Sequence, residues 1–291
     1  MQENDEKLPS SQAFWTAIDV PAKVRQCPTA GKTVANAYVY NDNIAGAAIG
    51  DVDYPEDTLL VADGQGTGNG TSTYDNIAYS DDNLAKRHNN ATIAGYLDGH
   101  VEYNKDAHTW LAVLLDRFSG STVPFIPYSQ SGEQPSTITQ STNKPFEGET
   151  CLELHYRIAT LGHYVELANN STQIQSSINK KLHRIGIAVR GDGSESLRMA
   201  IRILDSKGEM WQWWMNNTDK KQISFSGWQM LWVDLDKPQL SNWAISGGTK
   251  NDVLDYPVKV YSFTIDYTGD TILGLDALTG YIEGKKADLL Q

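Results

Sequence analysis

The sequence predicts a mostly β protein in which a small α+β domain precedes a β-sandwich, or jelly roll. The 291 residues exceed the usual length of one domain. Short runs of alternating apolar and polar residues are separated by turn residues, as in all-β domains. The 24 Gly, 10 Pro and 21% charged residues are typical of a folded, turn-rich chain and not of a disordered one. We therefore predict two domains, residues 1–106 and 108–291.

The first domain contains one candidate helix and four candidate strands. The helix is predicted over 13–18, and the strands over 37–40, 58–61, 92–96 and 100–103. Asp98-Gly99 lies between the last two strands. Because Gly tolerates positive φ and Asp caps its own turn, this pair predicts a tight hairpin. Between residues 63 and 83 Gly, Asp, Ser and Asn dominate, which predicts a long surface loop.

The second domain contains a series of short strands with clean alternation. Leu152 and Leu154 alternate with Glu153 and His155, so one face of this strand is apolar and the other polar. Eight such strands separated by turns indicate a sandwich or jelly roll. The predicted strands are 152–158, 164–168, 184–190, 197–205, 210–215, 230–235, 258–266 and 272–276.

Charge and composition exclude two classes of partner. A net charge of −12, with Lys and Arg scattered along the chain, argues against a nucleic-acid partner, because phosphate binding needs a clustered basic surface. No run of 18 apolar residues occurs and the first ten residues are polar, so neither a membrane span nor a secretory signal is visible. The two cysteines, Cys27 and Cys151, fix neither a disulfide framework nor a redox compartment.

No motif in the sequence predicts an enzyme. The glycines of 64–70 lack the spacing of a dinucleotide-binding loop, and no nucleophile elbow, zinc-protease motif or Cys-x-x-Cys pair is present. His88 and Asp98 form an acid–base couple only if they meet in space. We favour structural roles for both, because such residues at hairpins commonly hydrogen-bond to backbone groups.

The first domain resembles the H-X9-DG domain of bacterial prepilin-like, pseudopilin-related proteins. In that signature nine residues separate His88 from the Asp98-Gly99 pair. The matching segments are Leu8-Pro9-Ser10-Ser11 with Trp15, Gln26-Cys27-Pro28, Tyr38-Val39-Tyr40-Asn41, Pro55 to Asp63, and His88 to Tyr103. The resemblance implies a pilin-like domain that lacks its N-terminal apolar helix, an extracytoplasmic, cell-surface or secreted location, and pilus or secretion-system subunits as partners.

The second domain resembles the calcium-associated jelly-roll carbohydrate-binding modules with a galactose-binding-like fold, such as family 11. The matching segments are Leu114-Leu115-Asp116, Gly148 to Tyr156, Val189 to Gly193, Leu204 to Gly208, Gly227-Trp228-Gln229, Asn251 to Pro257, and Leu275-Asp276. The resemblance implies a polysaccharide or glycan ligand and a structural calcium ion at Asp116 and Asp276. An acidic residue that similar modules carry after the first Asp is replaced by Ser119. Asp63, with Asp75, Asp81 and Asp82 of the predicted loop, offers a second set of oxygen ligands of the kind calcium takes.

Aromatic and planar polar side chains on the second domain suggest where a sugar binds. Flat aromatic rings pack on the C–H faces of a pyranose, and planar polar groups bind its hydroxyls. The candidates are Tyr164, Arg198, Arg202, Trp211, Trp213, Trp243 and Asp266. Two alternatives remain open: the tryptophans cap the core, and the arginines pair with surface acids.

These observations predict noncatalytic, extracytoplasmic binding of a polysaccharide by a jelly roll attached to a pilin-like domain. The first alternative is a structural minor pilin or adhesin subunit with protein partners. The second is a glycan-active enzyme, which requires two carboxylates held roughly 5–9 Å apart in a cleft.

Overall fold

The computed structural model describes two compact units. The described residues are 7–10, 14–17, 21, 23–30, 37–65, 77–78, 83–118, 123–169, 178–179, 181–194 and 196–282. Those up to Val113, together with Tyr281 and Ile282, form the first unit, and those from Leu114 to Gly280 form the second. No helix in the described ranges is long and apolar enough to cross a membrane.

A five-stranded sheet is the main regular structure among the described residues of the first unit. Its strands follow the order β3-β1-β2-β4-β5, and a short helix α1 precedes them along the chain. Apolar side chains from Val39, Leu59 and Ala94 form its core, joined by Leu84 and Tyr96. The elements are α1 Phe14–Ala17, β1 Tyr38–Asn41, β2 Leu59–Asp63, β3 Ile77–Ala78, β4 Thr92–Tyr96 and β5 Val101–Asn104. The predicted helix and four strands are present, and β3 interrupts the stretch that we expected to be a loop.

The Asp98-Gly99 pair forms the hairpin turn between β4 and β5. The two strands are antiparallel, and Gly99 adopts a φ of +93° that favours glycine. Oδ1 of Asp98 accepts a hydrogen bond from the backbone N–H of His100 at 3.0 Å and lies 2.7 Å from Nδ1 of the same residue. His88 contacts other side chains, Cys27 and Asp63. The two residues of the signature therefore have separate partners and form no acid–base couple.

The second unit is a sandwich of two antiparallel sheets, which confirms the mostly β prediction. In the described residues one sheet has the order β15-β13-β12-β16-β10-β7, and the other has the order β14-β11-β17-β9-β8, with β6 paired to β17. The strands are β6 Leu111–Asp116, β7 Phe125–Ser129, β8 Thr137–Ser141, β9 Cys151–Ile158, β10 Tyr164–Asn169, β11 Leu182–Asp192, β12 Arg198–Leu204, β13 Glu209–Trp214, β14 Ser226–Asp234, β15 Ser241–Ala244, β16 Lys259–Asp266 and β17 Gly269–Ile282.

Alternation along each strand decides which side chains fill the sandwich. On β12, Met199 and Ile201 are fully buried, whereas Arg198 and Arg202 on the other face are only half-buried. The hydroxyl of Tyr156 on β9 donates to the carbonyl of Tyr267, in the turn that joins β16 of one sheet to β17 of the other. The polar face of the β15-to-β7 sheet, called the outer face below, is therefore directed away from the core.

One buried carboxylate organises the turn between β9 and β10. The side chain of Glu133 is 2% exposed and accepts hydrogen bonds from the backbone N–H groups of Ala159 at 2.7 Å and Thr160 at 3.0 Å. Nδ1 of His163 lies 2.8 Å from it. Hydrogen bonds from Thr160, Ala159 and His163 outweigh desolvation and lower the pKa of Glu133 to about 2.

We expect Glu133→Gln to lower the Tm of the chain at pH 7. The native carboxylate binds its proton only near pH 2, whereas the unfolded one does so near pH 4.5, so its stabilisation is complete above about pH 4.5 and is lost as the pH falls towards 2. Thermal unfolding followed by circular dichroism at several pH values measures this. The control is Glu149→Gln at an exposed position. A Tm difference from the wild type that is independent of pH would contradict the role of the charge.

Candidate functional site

Strand register brings polar and aromatic residues from five strands together on the outer face. β10, β16 and β12 are neighbours, and β13 extends the sheet beyond β12. Because directly paired residues point to the same side of a sheet, each row below shares the outer face. The rows are Tyr164, Asp266 and Arg198; Tyr128, Glu166, Thr264, Ala200 and Trp214; and Ala168, Ser262, Arg202 and Gln212.

Arg202 is the centre of a hydrogen-bond network on this face. Its Nη1 donates to Oε1 of Glu166 at 2.8 Å, and its Nε donates to Oε1 of Gln212 at 3.0 Å. The hydroxyl of Ser262 donates to the same Glu166 oxygen at 2.7 Å. The side chains of Arg202 and Glu166 are 16% and 21% exposed, so the network is held in place yet reaches the surface. It presents planar guanidinium, carboxylate and amide groups to a ligand.

Aromatic rings flank the Arg202 network on two sides. The guanidinium carbon of Arg202 lies 5.9 Å from the ring centroid of Tyr164 and 5.6 Å from that of Trp243. Trp243 on β15 is 37% exposed, and Tyr128 on β7 is 56% exposed. Both rings keep accessible surface beside the polar centre. Sequence reasoning missed Tyr128 because Pro127 interrupts the alternation of its strand.

Arg198 and Asp266 form a second charged pair on the same face. Nη2 of Arg198 lies 2.6 Å from Oδ2 of Asp266, and its Nε donates to Oδ1 at 3.1 Å. The hydrogen bonds and charge of Asp266 raise the pKa of Arg198 above its usual value. The guanidinium carbon also lies 3.8 Å from the ring centroid of Trp214. The pairing matches the alternative that the sequence left open for the arginines.

Trp211 and Trp213 lie inside the sandwich. Their side chains are 5% and 1% exposed, and they pair with Ile203 and Ile201 on the buried face of the sheet. The indole N–H of Trp211 donates to Oδ2 of Asp205 at 3.3 Å, and that of Trp213 donates to the carbonyl of Lys237 at 3.2 Å. A covered ring has no face for a sugar, so these two predicted ligand residues belong to the core.

The remaining five candidates share the outer face. Tyr164, Arg202 and Trp243 gather around one centre, and Arg198 with Asp266 lies one row away from Glu166. The sequence missed Tyr128, Glu166, Gln212 and Trp214.

The two predicted calcium ligands have structural hydrogen bonds. Oδ2 of the fully buried Asp276 accepts from the backbone N–H groups of Phe146 at 2.9 Å and Glu147 at 3.1 Å, and Oδ1 of Asp116 accepts from that of Phe118 at 2.6 Å. Burial raises the pKa of both carboxyls. Within the described part of the chain neither belongs to a group of three close carboxylate, His or Cys ligands, whereas calcium takes six to eight oxygens. The calcium ion stays a prediction, and Asp75, Asp81 and Asp82 of the second predicted ligand set lie outside the described residues.

A surface depression of about 720 Å³ lies on the polar face of the other sheet. Two close pairs line it: Nη2 of Arg190 lies 2.6 Å from Oε1 of Glu153, and Nε2 of His155 lies 2.9 Å from Oδ1 of Asp270. Trp228 lines it and donates its indole N–H to the carbonyl of Lys144 at 2.8 Å. This depression is the competing location for a ligand.

No protein-family model and no curated protein matches the chain. Among solved structures it is similar to the family 11 carbohydrate-binding module of the cellulosomal cellulase Lic26A-Cel5E of Clostridium thermocellum, with 16% identity over 60% of this chain and 96% of that one and a TM-score of 0.43. The family 11 module from Clostridium thermocellum in complex with a β-1,3-1,4-mixed-linked tetrasaccharide gives 17% identity, 60% and 96% coverage and a TM-score of 0.40.

A third similar structure is the CBM22-1 xylan-binding domain of Xyn10C from Paenibacillus barcinonensis. It shares 11% identity with this chain over 60% of this chain and 96% of its own length, with a TM-score of 0.33. Because the TM-scores are this low, these likenesses carry no weight for the fold or the function, which are argued from the geometry described above.

Alanine substitutions at Trp213 and Trp243 distinguish a residue of the core from a residue of the candidate site by their cost in stability. We expect Trp213→Ala to reduce the free energy of unfolding by about 3–5 kcal/mol, because it removes a fully buried ring. Trp243→Ala removes a ring that is already partly exposed, so we expect it to reduce the free energy of unfolding by only about 1 kcal/mol or less. Urea unfolding followed by far-UV circular dichroism measures both. Equal losses in the two variants would contradict this division.

Proposed function

We propose that the second unit binds a polysaccharide on its outer face without catalysing a reaction. The observation that carries the proposal is the Arg202 network, in which Arg202 is hydrogen-bonded to Glu166 and Gln212 and lies beside the rings of Tyr164 and Trp243. A sugar ring has an apolar C–H face and a rim of hydroxyls. On the outer face, the aromatic rings complement the C–H face and the polar groups of the Arg202 network complement the hydroxyls.

Preorganisation favours binding at this centre. Arg202 and Glu166 already hold each other through a 2.8 Å hydrogen bond, so their side chains lose little further freedom when a ligand arrives. The guanidinium retains N–H donors beyond those bonded to Glu166 and Gln212, and carboxylate oxygens retain acceptor capacity. Hydroxyls of a sugar can therefore add to the network without breaking it.

The charged pairs on the outer face favour binding over glycoside hydrolysis. The carboxylates there, Glu166 and Asp266, each face an arginine at 2.8 Å and 2.6 Å. A glycosidase needs two carboxyl groups that act on the scissile bond, whereas these two carboxylates are each engaged by an arginine. A glycan-active enzyme is therefore the weaker proposal.

The identity of the first domain, the location of the protein and its protein partners remain proposals that rest on the sequence. The H-X9-DG resemblance supports a pilin-like first domain, an extracytoplasmic location, and pilus or secretion-system subunits as partners. In the alternative, the protein is a structural minor pilin or adhesin subunit whose second unit contacts protein partners. Polysaccharide binding by the second unit is compatible with both.

Trp243→Ala and Arg202→Ala test the outer face directly. Equatorial sugars have the flattest apolar faces, so mixed-linked β-glucan and xylan are suitable probes for affinity gel electrophoresis, with their oligosaccharides for calorimetry. We expect each variant to weaken binding at least about tenfold, which is about 1.4 kcal/mol. The loss follows from removal of the stacking ring or of the central donor.

Phe146→Ala is the matched control beside Trp228, which is on the other sheet. Phe146 is 42% exposed and packs beside Trp228, with ring centroids 5.8 Å apart. This variant should bind like the wild type. Two results would overturn the proposal: no retention of the wild type by either probe or by a wider glycan array, or loss of binding in Phe146→Ala with retention in Trp243→Ala.

A further inference from the structure

Three metal-ligating side chains meet in the first unit. Cys27 precedes the short 3-10 turn Pro28–Ala30, Asp63 ends β2, and His88 lies in the turn before β4. The thiol and the carboxylate are buried, at 3% and 0% exposure, and the imidazole is 20% exposed. One ligand atom from each lies within 4.8 Å of the others. In the described ranges this is the one such group of three.

The two distances that join His88 to the other donors fit a single tetrahedral ion. Sγ of Cys27 and Oδ2 of Asp63 each lie 3.5 Å from Nε2 of His88. Zinc bound to sulfur at about 2.3 Å and to nitrogen at about 2.0 Å separates those two donors by about 3.5 Å when the angle is tetrahedral. Oγ1 of Thr29 lies 3.1 Å from Sγ and 3.5 Å from Nε2, close to a fourth corner.

The carboxylate of Asp63 is buried without a full set of partners. Its Oδ2 accepts from the backbone N–H of Ile93 at 2.8 Å, but its Oδ1 has no hydrogen bond among the described residues. The nearest described cation is Nη1 of Arg87, 3.8 Å from Oδ1, and that guanidinium donates to the carbonyls of Ala37 and Gly64. A buried carboxylate oxygen without a donor is costly. A cation bound to this carboxylate would lower that cost.

The arrangement does not suit a nucleophilic cysteine. In a catalytic triad the base contacts the nucleophile through one ring nitrogen and the orienting carboxylate through the other. Here the thiol and the carboxylate approach the same nitrogen, Nε2 of His88. The thiol of Cys27 is also 3% exposed, which leaves a substrate little access. Because the thiol and the carboxylate both approach this nitrogen, the arrangement favours three ligands of one ion over a chain of proton transfers.

We propose that the first unit binds one Zn²⁺ ion through Cys27, Asp63 and His88, with Thr29 or a water molecule as the fourth ligand. A mixed sulfur, nitrogen and oxygen set is one that zinc takes readily. Thiolate and carboxylate together neutralise the charge of the ion. The site ties the segment before β1 to the end of β2 and to the start of β4, so the bound ion stabilises the first unit.

Zinc content of the full chain, purified without a polyhistidine tag, tests the proposal. After equilibration with zinc and dialysis, elemental analysis should give one zinc per chain. Replacement by Co²⁺ should produce a near-ultraviolet thiolate-to-cobalt charge-transfer band, which reports the Cys27 ligand in the wild type itself. The zinc-loaded chain should also have a higher Tm than the chelated one.

Single substitutions at the ligands identify the site. We expect Cys27→Ser, Asp63→Asn and His88→Gln each to weaken zinc binding by more than about tenfold, since loss of even an outer partner of a ligand costs about 10- to 100-fold. The matched controls are Cys151→Ser, a buried cysteine of the second unit, and His100→Gln, an exposed histidine of the hairpin. Both should retain one zinc.

Two results would overturn the proposal even if a ligand variant fails to fold. One is a wild-type chain that retains no zinc, or whose Co²⁺ complex lacks the thiolate band. The other is stoichiometric zinc in all three ligand variants. Because the readout is metal binding to the first unit, its failure is distinct from failure of sugar binding by the second.

Discussion

The candidate sugar site depends on the register of β12 between β16 and β13. This register places Arg202 beside Ser262 on one side and Gln212 on the other, with Glu166 within a 2.8 Å hydrogen bond. A slip of one residue would bury the arginine and expose its apolar neighbours, because the side-chain period of a strand is two. The fully buried Ile201 therefore fixes both the core and the position of the guanidinium.

The Arg202 network contributes to the proposed recognition of a sugar more than to the stability of the fold. Its charges are mostly shielded from water, so loss of either partner leaves a poorly solvated charge, whereas the intact pair is close to neutral in free energy. Such a pair contributes shape and direction more than stability. The guanidinium carbon lies 5.6 Å and 5.9 Å from the ring centroids of Trp243 and Tyr164, so in the proposed complex a sugar would meet donors, acceptors and an apolar surface that are already in position.

Much of the fold follows from sequence patterns, and much of the site does not. Strands with clean alternation, such as β9 and β12, were predicted within a few residues, but β7, β8 and β15 are short or polar and give no period. In β13 the residues of both faces are large, so alternation could not separate Trp213 in the core from Trp214 on the outer face. The Cys27 cluster joins residues far apart in sequence and is visible only in three dimensions.

Two-dimensional NMR of the labelled chain, titrated with a mixed-linked β-glucan or xylan oligosaccharide, tests the central claim most directly. The indole N–H signals distinguish the surfaces: Trp243 lies on the outer face, Trp228 lines the depression on the other sheet, and Trp213 is in the core. The account predicts a large shift for Trp243 with little change at Trp228 and Trp213. A shift at Trp228 with none at Trp243, or no shift with any oligosaccharide, would contradict it.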